Sequence, residues 1–448
     1  MKKIFPPLAV FAVLTFYLFC FIYFGLYETT DSYFFIAFSE FIKTGRYFVP
    51  HPYYWTVPST ITPPFYSLFL YLAQLLPNPH LVIHLSQIVA FLIALFFIYK
   101  VLIVKLPKQL SLLITALFAV LPVNVIQTSA IMTETLAIGF TSFYIYLAGL
   151  ILIKKQRQYL PLLIIISSIS ILLRYNFFIF YIMSAGLIFL DRKGKRINRS
   201  QIAAVITGVI IIISWIGINH SLNGSWGLSS QQGKNIYNRV LGYDKLSPPH
   251  NNRDWQKLQL LVPGKNFLDF VWNIEPYILP NFNGNVTYES LLFGKIALAA
   301  IYNHPLEYSW NTLKNLFVLH GNGYVYPELI FSYYQNCRQI GLIDLCRSAN
   351  GPVAAAAWDR IVTIGNFMSR SLPALVNGFF LLPSLIYALL QKKIFLRFIA
   401  VLYLLSALTT VLVELPAHRY LYPFYSLQLI LIFYSISPLI GKSLKKQN

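Results

Sequence analysis

Charged residues are scarce in this sequence. They make up 11% of its 448 positions, less than half of the roughly 25% typical of soluble globular proteins. Hydrophobic residues, by contrast, account for 57%. A single water-soluble globule is therefore excluded. Intrinsic disorder is excluded as well, because a disordered chain has few apolar residues and many charges.

Acidic residues are the scarcer of the two charge types. The chain has 15 Asp and Glu against 35 Lys and Arg, a formal net charge of +20. In a soluble protein this excess would suggest nucleic-acid binding. In so apolar a chain, Lys and Arg are first expected to mark the cytoplasmic loops of a membrane protein. We therefore expect membrane lipid as a partner and no nucleic acid.

Cysteine is also rare, with three residues in the chain. Cys20 lies in an apolar run and is expected to act as an apolar filler. Cys337 and Cys346 lie nine positions apart in a polar region, where either a local disulfide or two buried thiols would fit. The sequence contains no CxxC and no HExxH motif, so no four-ligand zinc site is predicted.

Long apolar runs recur along the chain. Because about 20 apolar helical residues cross a bilayer core of ~30 Å, the sequence predicts an all-α polytopic membrane protein with about ten transmembrane helices, within a range of 9–13. The predicted spans are 5–26, 80–104, 110–128, 131–153, 159–173, 175–190, 201–219, 372–391, 394–415 and 420–440. The two short ones, 159–173 and 175–190, could instead form one broken or re-entrant pair.

The basic residues predict the orientation of these spans. With a cytoplasmic N-terminus, the inner loops hold 19 basic residues and one acid, Asp191, as the positive-inside rule requires. Both termini are then cytoplasmic in a multi-pass plasma membrane. The predicted parts are an N-terminal membrane domain (1–219) with a first outer loop (27–79), a mainly helical extracytoplasmic region (220–371) with an optional extra membrane segment near 311–331, and C-terminal membrane helices (372–448).

The first outer loop contains the strongest catalytic candidate. Asp31 directly follows the first span, and the residues after it predict an amphipathic helix on the membrane surface that ends at Gly45. A carboxylate at the end of a span is often simply solvated. Held at the boundary between water and lipid, however, it can accept a proton from a hydroxyl acceptor.

Several motifs occur in a consistent order and on a consistent predicted side of the membrane. After Asp31 come Gly45-Arg46-Tyr47 and Pro63-Pro64-Phe65-Tyr66. Later motifs are Thr133-Glu134, Leu173-Arg174-Tyr175, Trp215 to Asn219 leading into Gly224 to Leu228, Ala299 to Tyr308, and His418 to Pro423. Together they resemble the GT-C glycosyltransferases, and in particular the protein O-mannosyltransferases and the lipid A aminoarabinose transferases.

The resemblance implies a GT-C-like helical membrane fold and an inverting transfer of a sugar from a polyprenyl-phosphate carrier to a protein, lipid or glycan acceptor outside the cytoplasm. Asp31 would then be the general base, and Arg174, Arg419 and Arg46 would bind the donor phosphate. Glu134, His418 and His51 would bind the acceptor or a divalent metal ion. Relatives often carry an acid where this chain has Ser32, which leaves Asp31 as the single matching acid.

The residues themselves leave other interpretations open. Arg174 lies in an apolar context, where an arginine is costly and often functional, yet it could equally extend its charge to the interface. Glu134, Glu414 and Arg419 could be solvated helix ends or interfacial anchors, and a lone histidine is more often structural. The alternative functions are a flippase or exporter of lipid-linked glycans and an oligosaccharide polymerase or ligase.

Overall fold

The computed structural model describes residues 5–24, 26, 28–29, 31–47, 58, 60–190, 198–264, 267–282, 285–321, 376–414 and 418–445. This part of the chain is built from α-helices joined by turns, as the sequence predicts. The N-terminal helices are α1 Phe5–Phe24, α2 Ser32–Thr44, α3 Pro64–Gln74, α4 Pro79–Leu102, α5 Lys108–Ala119, α6 Pro122–Ser129, α7 Glu134–Leu152, α8 Leu160–Ile171, α9 Phe178–Leu190 and α10 Arg199–Asn223.

The remaining described helices follow in two groups. The first group is α11 Gln232–Tyr237, α12 Arg253–Leu261, α13 Val271–Ile278, α14 Val286–Asn303 and α15 Pro305–Gly321. The second is α16 Leu382–Leu390, α17 Ile394–Val413 and α18 Tyr425–Lys445, with a 3-10 turn, His418–Phe424, before α18.

Five described helical segments are long and apolar enough to cross a membrane. They are Pro79–Leu102, Glu134–Leu152, Arg199–Asn223, Ile394–Val413 and Tyr420–Pro438. The bent pair α5 and α6, whose axes differ by 63°, adds a sixth if it counts as one span. These six coincide with predicted spans, but the predicted total of ten is not confirmed.

Part of the difference arises because hydropathy does not report helix continuity. The apolar segments Arg157–Ile171 and Tyr175–Phe189 are each shorter than a span. Between α8 and α9 the chain turns at Leu172–Arg174, where Arg174 is extended (φ −149°, ψ 127°). A run can therefore be apolar throughout and still consist of two short helices.

Helix α2 occupies the predicted position in the first loop. Gly45 ends it in a left-handed conformation (φ 71°), which glycine adopts without strain, and its N–H donates to the Phe41 carbonyl. One face of α2 is buried, with Phe34 and Phe38 packed against Trp215 of α10 and Val286 of α14. The helix is thus fixed between the apolar bundle and the later helices, and its contact with a membrane surface stays a prediction.

The apolar bundle forms the main core. Residues of α4, α7, α8, α17 and α18 make up one hydrophobic cluster, and a second cluster joins α11 to α14. The Phe395 ring at the start of α17 lies beside Gly149 near the end of α7, so the two helices run antiparallel.

This arrangement places acids and bases at opposite ends of the bundle. Glu134 begins α7 and Glu414 follows α17, so both lie at one end. Lys154 and Lys155 follow α7 at the other end, and Lys392 and Lys393 precede α17 there. With a rise of 1.5 Å per residue, the 19 residues of α7 separate these ends by about 28 Å.

Candidate active site

An open cavity of about 600 Å³ lies at the acidic end of the bundle. Its walls come from the start of α2, the residues before α3, the start of α7, the turn between α8 and α9, helices α11 and α13, and the end of α17. Six charged side chains line it: Asp31, Glu134, Arg174, Lys234, Glu275 and Glu414. The structure therefore gathers Asp31, Glu134 and Arg174, which the sequence predicts to be functional, at one cavity.

Arg174 and Glu134 form an ion pair in this cavity. The Nη1 atom of Arg174 lies 3.0 Å from Oε1 of Glu134 and also donates to the Thr133 hydroxyl at 3.0 Å. The Glu134 side chain is 3% exposed and that of Arg174 is 13% exposed. Because the extended residue Arg174 follows the end of α8, its guanidinium can reach the start of α7 while remaining at the cavity wall.

Asp31 is the half-buried residue that precedes α2. Its neighbour Ser32 is fully buried, and the Ser32 hydroxyl donates to the Ile131 carbonyl at 2.8 Å and accepts from the Thr29 N–H at 2.7 Å. Ser32, which stands where relatives often carry a second acid, thus ties α2 to the turn before α7. This contact holds the start of α2, and with it Asp31, at the cavity.

Glu414 is a cavity residue whose importance the sequence did not indicate, because a solvated helix end explains an acid at that position. In the structure the Asn235 amide donates to Oε1 of Glu414 at 2.8 Å. The pKa of Glu414 is raised to about 7: burial is the main cause and the charge of Asp31 adds to it, whereas Arg174 and the hydrogen bonds from Asn235 and Tyr420 oppose the rise. The charges of Asp31, Arg174 and Glu414 therefore act on one another. The available signal in the sequence was that the three acids Asp31, Glu134 and Glu414 all lie at predicted outer ends of spans.

A second buried charge cluster lies at the wall formed by α11 and α13. Lys234 of α11 pairs with Glu275 of α13 and, at 2.7 Å, with Glu289 of α14. Burial lowers the pKa of Lys234, but the two acids outweigh it and the net pKa is raised. Burial also raises the pKa of Glu289 to about 7, against the opposing effect of Lys234. In the sequence Lys234 looks like any lysine of a polar region, so only packing identifies it.

The uncharged lining of the cavity is uneven in polarity. The apolar side chains Phe34, Phe35, Leu173, Phe178 and Ile179 come from α2 and the region where α8 turns into α9. The segment around α11 contributes four amide side chains: Gln231, Gln232, Asn235 and Asn238. Amides can bond to hydroxyl groups as donor and acceptor, whereas the first group suits an apolar ligand.

The other predicted site residues are not brought to this cavity within the described part of the chain. Arg46 is exposed after α2, and its backbone N–H donates to the Thr44 hydroxyl at 3.2 Å. His51, Cys337 and Cys346 lie outside the described residues. His418 and Arg419 begin the 3-10 turn before α18, but their side chains lie outside the part of the chain that the structure describes. The next residue, Tyr420, lines the cavity.

A metal site stays a prediction. Among the described residues, no three His, Cys, Asp or Glu side chains gather closely enough to hold a metal ion. The side chains of His51 and His418, two of the predicted ligands, are not part of that set.

Residues 62–217 match the family model of the dolichyl-phosphate-mannose-protein mannosyltransferases. That family belongs to the GT-C superfamily, so this stretch is similar to a GT-C domain. It runs from just before α3 to near the end of α10, about a third of the chain, and includes Glu134 and Arg174. Searches of curated proteins and of solved structures find no match.

The match confirms the resemblance predicted from the sequence motifs and supports a membrane glycosyltransferase of the GT-C kind. The matched region supplies the wall of the cavity that carries the Arg174–Glu134 pair. Asp31 precedes the matched region, and Lys234, Glu275 and Glu414 follow it. The cavity is therefore completed by parts of the chain on both sides of the matched region.

Proposed function

We propose that this chain transfers a sugar from a polyprenyl-phosphate carrier to an acceptor, with inversion at the anomeric carbon and Asp31 as the general base. The observation that carries the proposal is the convergence of Asp31 and the Arg174–Glu134 pair on one cavity at the end of a membrane bundle. A lipid-linked sugar presents its phosphate and sugar at that level, while its apolar tail stays among the helices.

Arg174 is proposed to bind the donor phosphate. A guanidinium has five N–H donors, and both described contacts of Arg174 use Nη1, so other donors of the fork can bond phosphate oxygens. Charge-assisted bonds of this kind are roughly twice as strong as neutral ones. Glu134 is then a positioning residue, which holds the guanidinium at the start of α7.

Asp31 is proposed to take the proton from the acceptor hydroxyl or amine. As the acceptor oxygen or nitrogen bonds to the anomeric carbon, the bond from that carbon to the phosphate oxygen breaks, and the polyprenyl phosphate leaves with the electron pair. The developing negative charge on the phosphate is stabilised by Arg174. Attack from the face opposite the leaving group accounts for inversion.

The polarity of the cavity lining suggests how the substrates are oriented. The apolar wall around Phe34, Leu173 and Phe178 suits the first isoprenyl units, and the amide wall around Gln231 and Asn235 suits sugar hydroxyls. The matched family is named for dolichyl-phosphate-mannose and protein, which favours a polyprenyl-phosphate-linked donor and a protein acceptor here. A lipid or glycan acceptor would use the same base and the same phosphate contact.

The side of the membrane is also part of the proposal. The cavity lies at the end of the bundle opposite the turns that carry Lys154, Lys155, Lys392 and Lys393. Because basic loops are retained in the cytoplasm, the cavity would face the outside and both termini the cytoplasm. A plasma-membrane enzyme of this orientation would meet its acceptor outside the cytoplasm.

The proposal is tested by the variant Asp31→Asn in full-length protein reconstituted in vesicles with a radiolabelled polyprenyl-phosphate sugar. We expect transfer to fall by at least two orders of magnitude, since general base catalysis contributes about 10²–10⁴-fold, while donor binding is kept. The matched control is Glu40→Gln on the same helix, where Glu40 is an exposed partner of Lys43; its activity should equal that of the wild type.

Three results would contradict the proposal. Full transfer by Asp31→Asn would exclude this residue as the base. Movement of the labelled lipid across the vesicle membrane without any transfer would favour a flippase or exporter. Products that grow by many sugar units would favour a polymerase or ligase.

A further inference from the structure

Helix α15 has an inverted distribution of polarity. Its packed face carries Tyr308, Thr312, Asn315 and Leu319, of which Thr312 and Asn315 are buried polar residues. Its outer face carries Leu306, Trp310, Leu313 and Phe317, which are 85%, 59%, 50% and 70% exposed. Both sets follow the helical spacing of three and four residues. A helix bathed in water shows the opposite pattern, with its apolar stripe inside.

The polar side chains of the packed face are bound within the protein. Asn315 donates to Oδ1 of Asp244 at 3.3 Å, and the Thr312 hydroxyl accepts from Arg239. Arg239 is itself fully buried, pairs with Asp244 and donates through Nε to the Val411 carbonyl of α17 at 2.9 Å. The polar side chains of α15 are therefore hydrogen-bonded inside the protein, while its large apolar side chains are exposed.

Contacts at both ends of α15 show that it runs along a membrane-spanning helix. The Tyr308 hydroxyl donates to the Leu412 carbonyl at the end of α17 at 2.6 Å. Twelve residues later, His320 Nε2 lies 2.6 Å from the Tyr403 hydroxyl in the middle of α17. At 1.5 Å per residue α15 descends about 18 Å beside α17, more than half of a hydrocarbon core of ~30 Å.

The positions of the charged residues on the exposed side of α15 agree with this placement along α17. Glu307 and its partner His304 are at the first turn, the end of α15 beside Leu412. The next charged residue along α15 is Lys314. Its ammonium lies 5.5 Å from the centre of the Trp310 ring, so the side chain leans back toward the start of the helix. Lysine side chains near a membrane interface extend toward the headgroups in this way, and tryptophan is enriched at that level.

We propose that the face Leu306, Trp310, Leu313 and Phe317 is a lipid-binding surface: α15 enters the bilayer beside α17, and acyl chains cover this face. The polar network on the other side and the antiparallel run along α17 carry the proposal. Helix α15 has 17 residues, slightly fewer than a full span. The proposed membrane segment begins at Pro305, earlier than the optional segment predicted near 311–331. The proposal does not depend on the enzymatic activity.

The test is spin-label accessibility in the full-length protein reconstituted in vesicles. Cys20, Cys337 and Cys346 are first replaced by alanine, and single cysteines are then introduced as Leu313→Cys and Phe317→Cys. The lipid-facing control is Ile213→Cys on the span α10, where Ile213 is 62% exposed, and the water-facing control is Leu260→Cys on α12, where Leu260 is 82% exposed. Each label is probed with oxygen, which concentrates in lipid, and with a water-soluble nickel complex.

We expect the labels at positions 313 and 317 to match the Ile213 control, with oxygen accessibility severalfold above that of the Leu260 control and nickel accessibility severalfold below it. Nickel accessibility equal to that of the Leu260 control would overturn the proposal and place the face in water. Protection from both reagents would overturn it too, because protein, either another part of this chain or a second copy, would then cover the face. Each variant is accepted only if its elution on size exclusion equals that of the cysteine-free parent.

Discussion

The Nη1 atom of Arg174 lies 3.0 Å from Oε1 of Glu134, with both side chains largely withdrawn from solvent. The residues belong to different helical segments, and the pair joins the turn between α8 and α9 to the start of α7. Removing one partner of such a buried pair typically costs 3–5 kcal/mol. The pair is therefore expected to contribute to the architecture of the cavity as well as to its chemistry.

Glu134→Ala should lower the stability of the protein by about 3–5 kcal/mol, because Arg174 is left buried without its acid. Unfolding in a series of mixed detergents measures the change. The control is Glu40→Ala, which removes an exposed pair with Lys43 and should cost no more than about 0.5 kcal/mol. Equal losses in both variants would mean that the Arg174–Glu134 contact adds little.

Glu414 should make stability depend on pH. Its pKa is raised from 4.5 to about 7, so over that interval the folded state keeps a proton that the unfolded state has lost. Stability should therefore fall as the pH rises from about 4.5 to about 7, by at most about 1.4 kcal/mol per pH unit, and level off above. Thermal unfolding across this range checks the slope.

Glu414→Gln is neutral at every pH and should reduce that slope. Glu289 contributes in the same interval, because its pKa is also raised to about 7, so adding Glu289→Gln should reduce the slope further. A slope in Glu414→Gln as steep as that of the wild type would show that Glu414 titrates near its ordinary pKa in the folded protein.

Lys234→Met should destabilise the chain strongly, by about 3–5 kcal/mol, because it leaves Glu275 and Glu289 buried together without their cation. Adding Glu275→Gln and Glu289→Gln should recover much of the loss, since the neutral set needs no counter-charge. Lys257→Met on the exposed side of α12 is the control and should be close to neutral. A triple variant no more stable than Lys234→Met would show that lost packing, and not charge, is the cause.

Gly233→Ala should open the contact between α11 and α14. A Cβ atom at Gly233 would lie 1.8 Å from the Ser290 carbonyl oxygen, a distance at which the backbones must separate. The control is Gly217→Ala in α10, where no other atom lies within 4 Å and alanine is the better helix former. We expect a clearly lower unfolding temperature for Gly233→Ala and an equal or higher one for Gly217→Ala; similar values would contradict the close approach.

Much of the helical layout follows from the sequence. The runs that contain α4, α7, α10 and α17 are apolar over a full span, and the end of α2 is marked by Gly45, because hydropathy and glycine conformation are local properties. The number of spans does not follow from the sequence in the same way. Whether 159–173 and 175–190 are continuous depends on the turn at Arg174, which is stabilised by its contact with Glu134.

The candidate site was predictable only in part. Asp31, Glu134 and Arg174 stand out in the sequence because each is a charged residue at the edge of an apolar run, where a charge is costly. Lys234 and Glu275 do not, because they come from a polar region in which charges are ordinary. Their burial is produced by the close packing of α11 on α14.

The sequence by itself determines the class of this protein: too apolar for water, basic on one side of its predicted spans, helical, and similar to the GT-C glycosyltransferases through short motifs. These are local features, since each depends on residues close together in the chain. Only the tertiary structure decided which polar and charged groups meet, as in Asn235 with Glu414 and Arg174 with Glu134, and which face of α15 is left exposed. Such contacts join residues far apart in the chain, and their energies depend on a burial that no local segment provides.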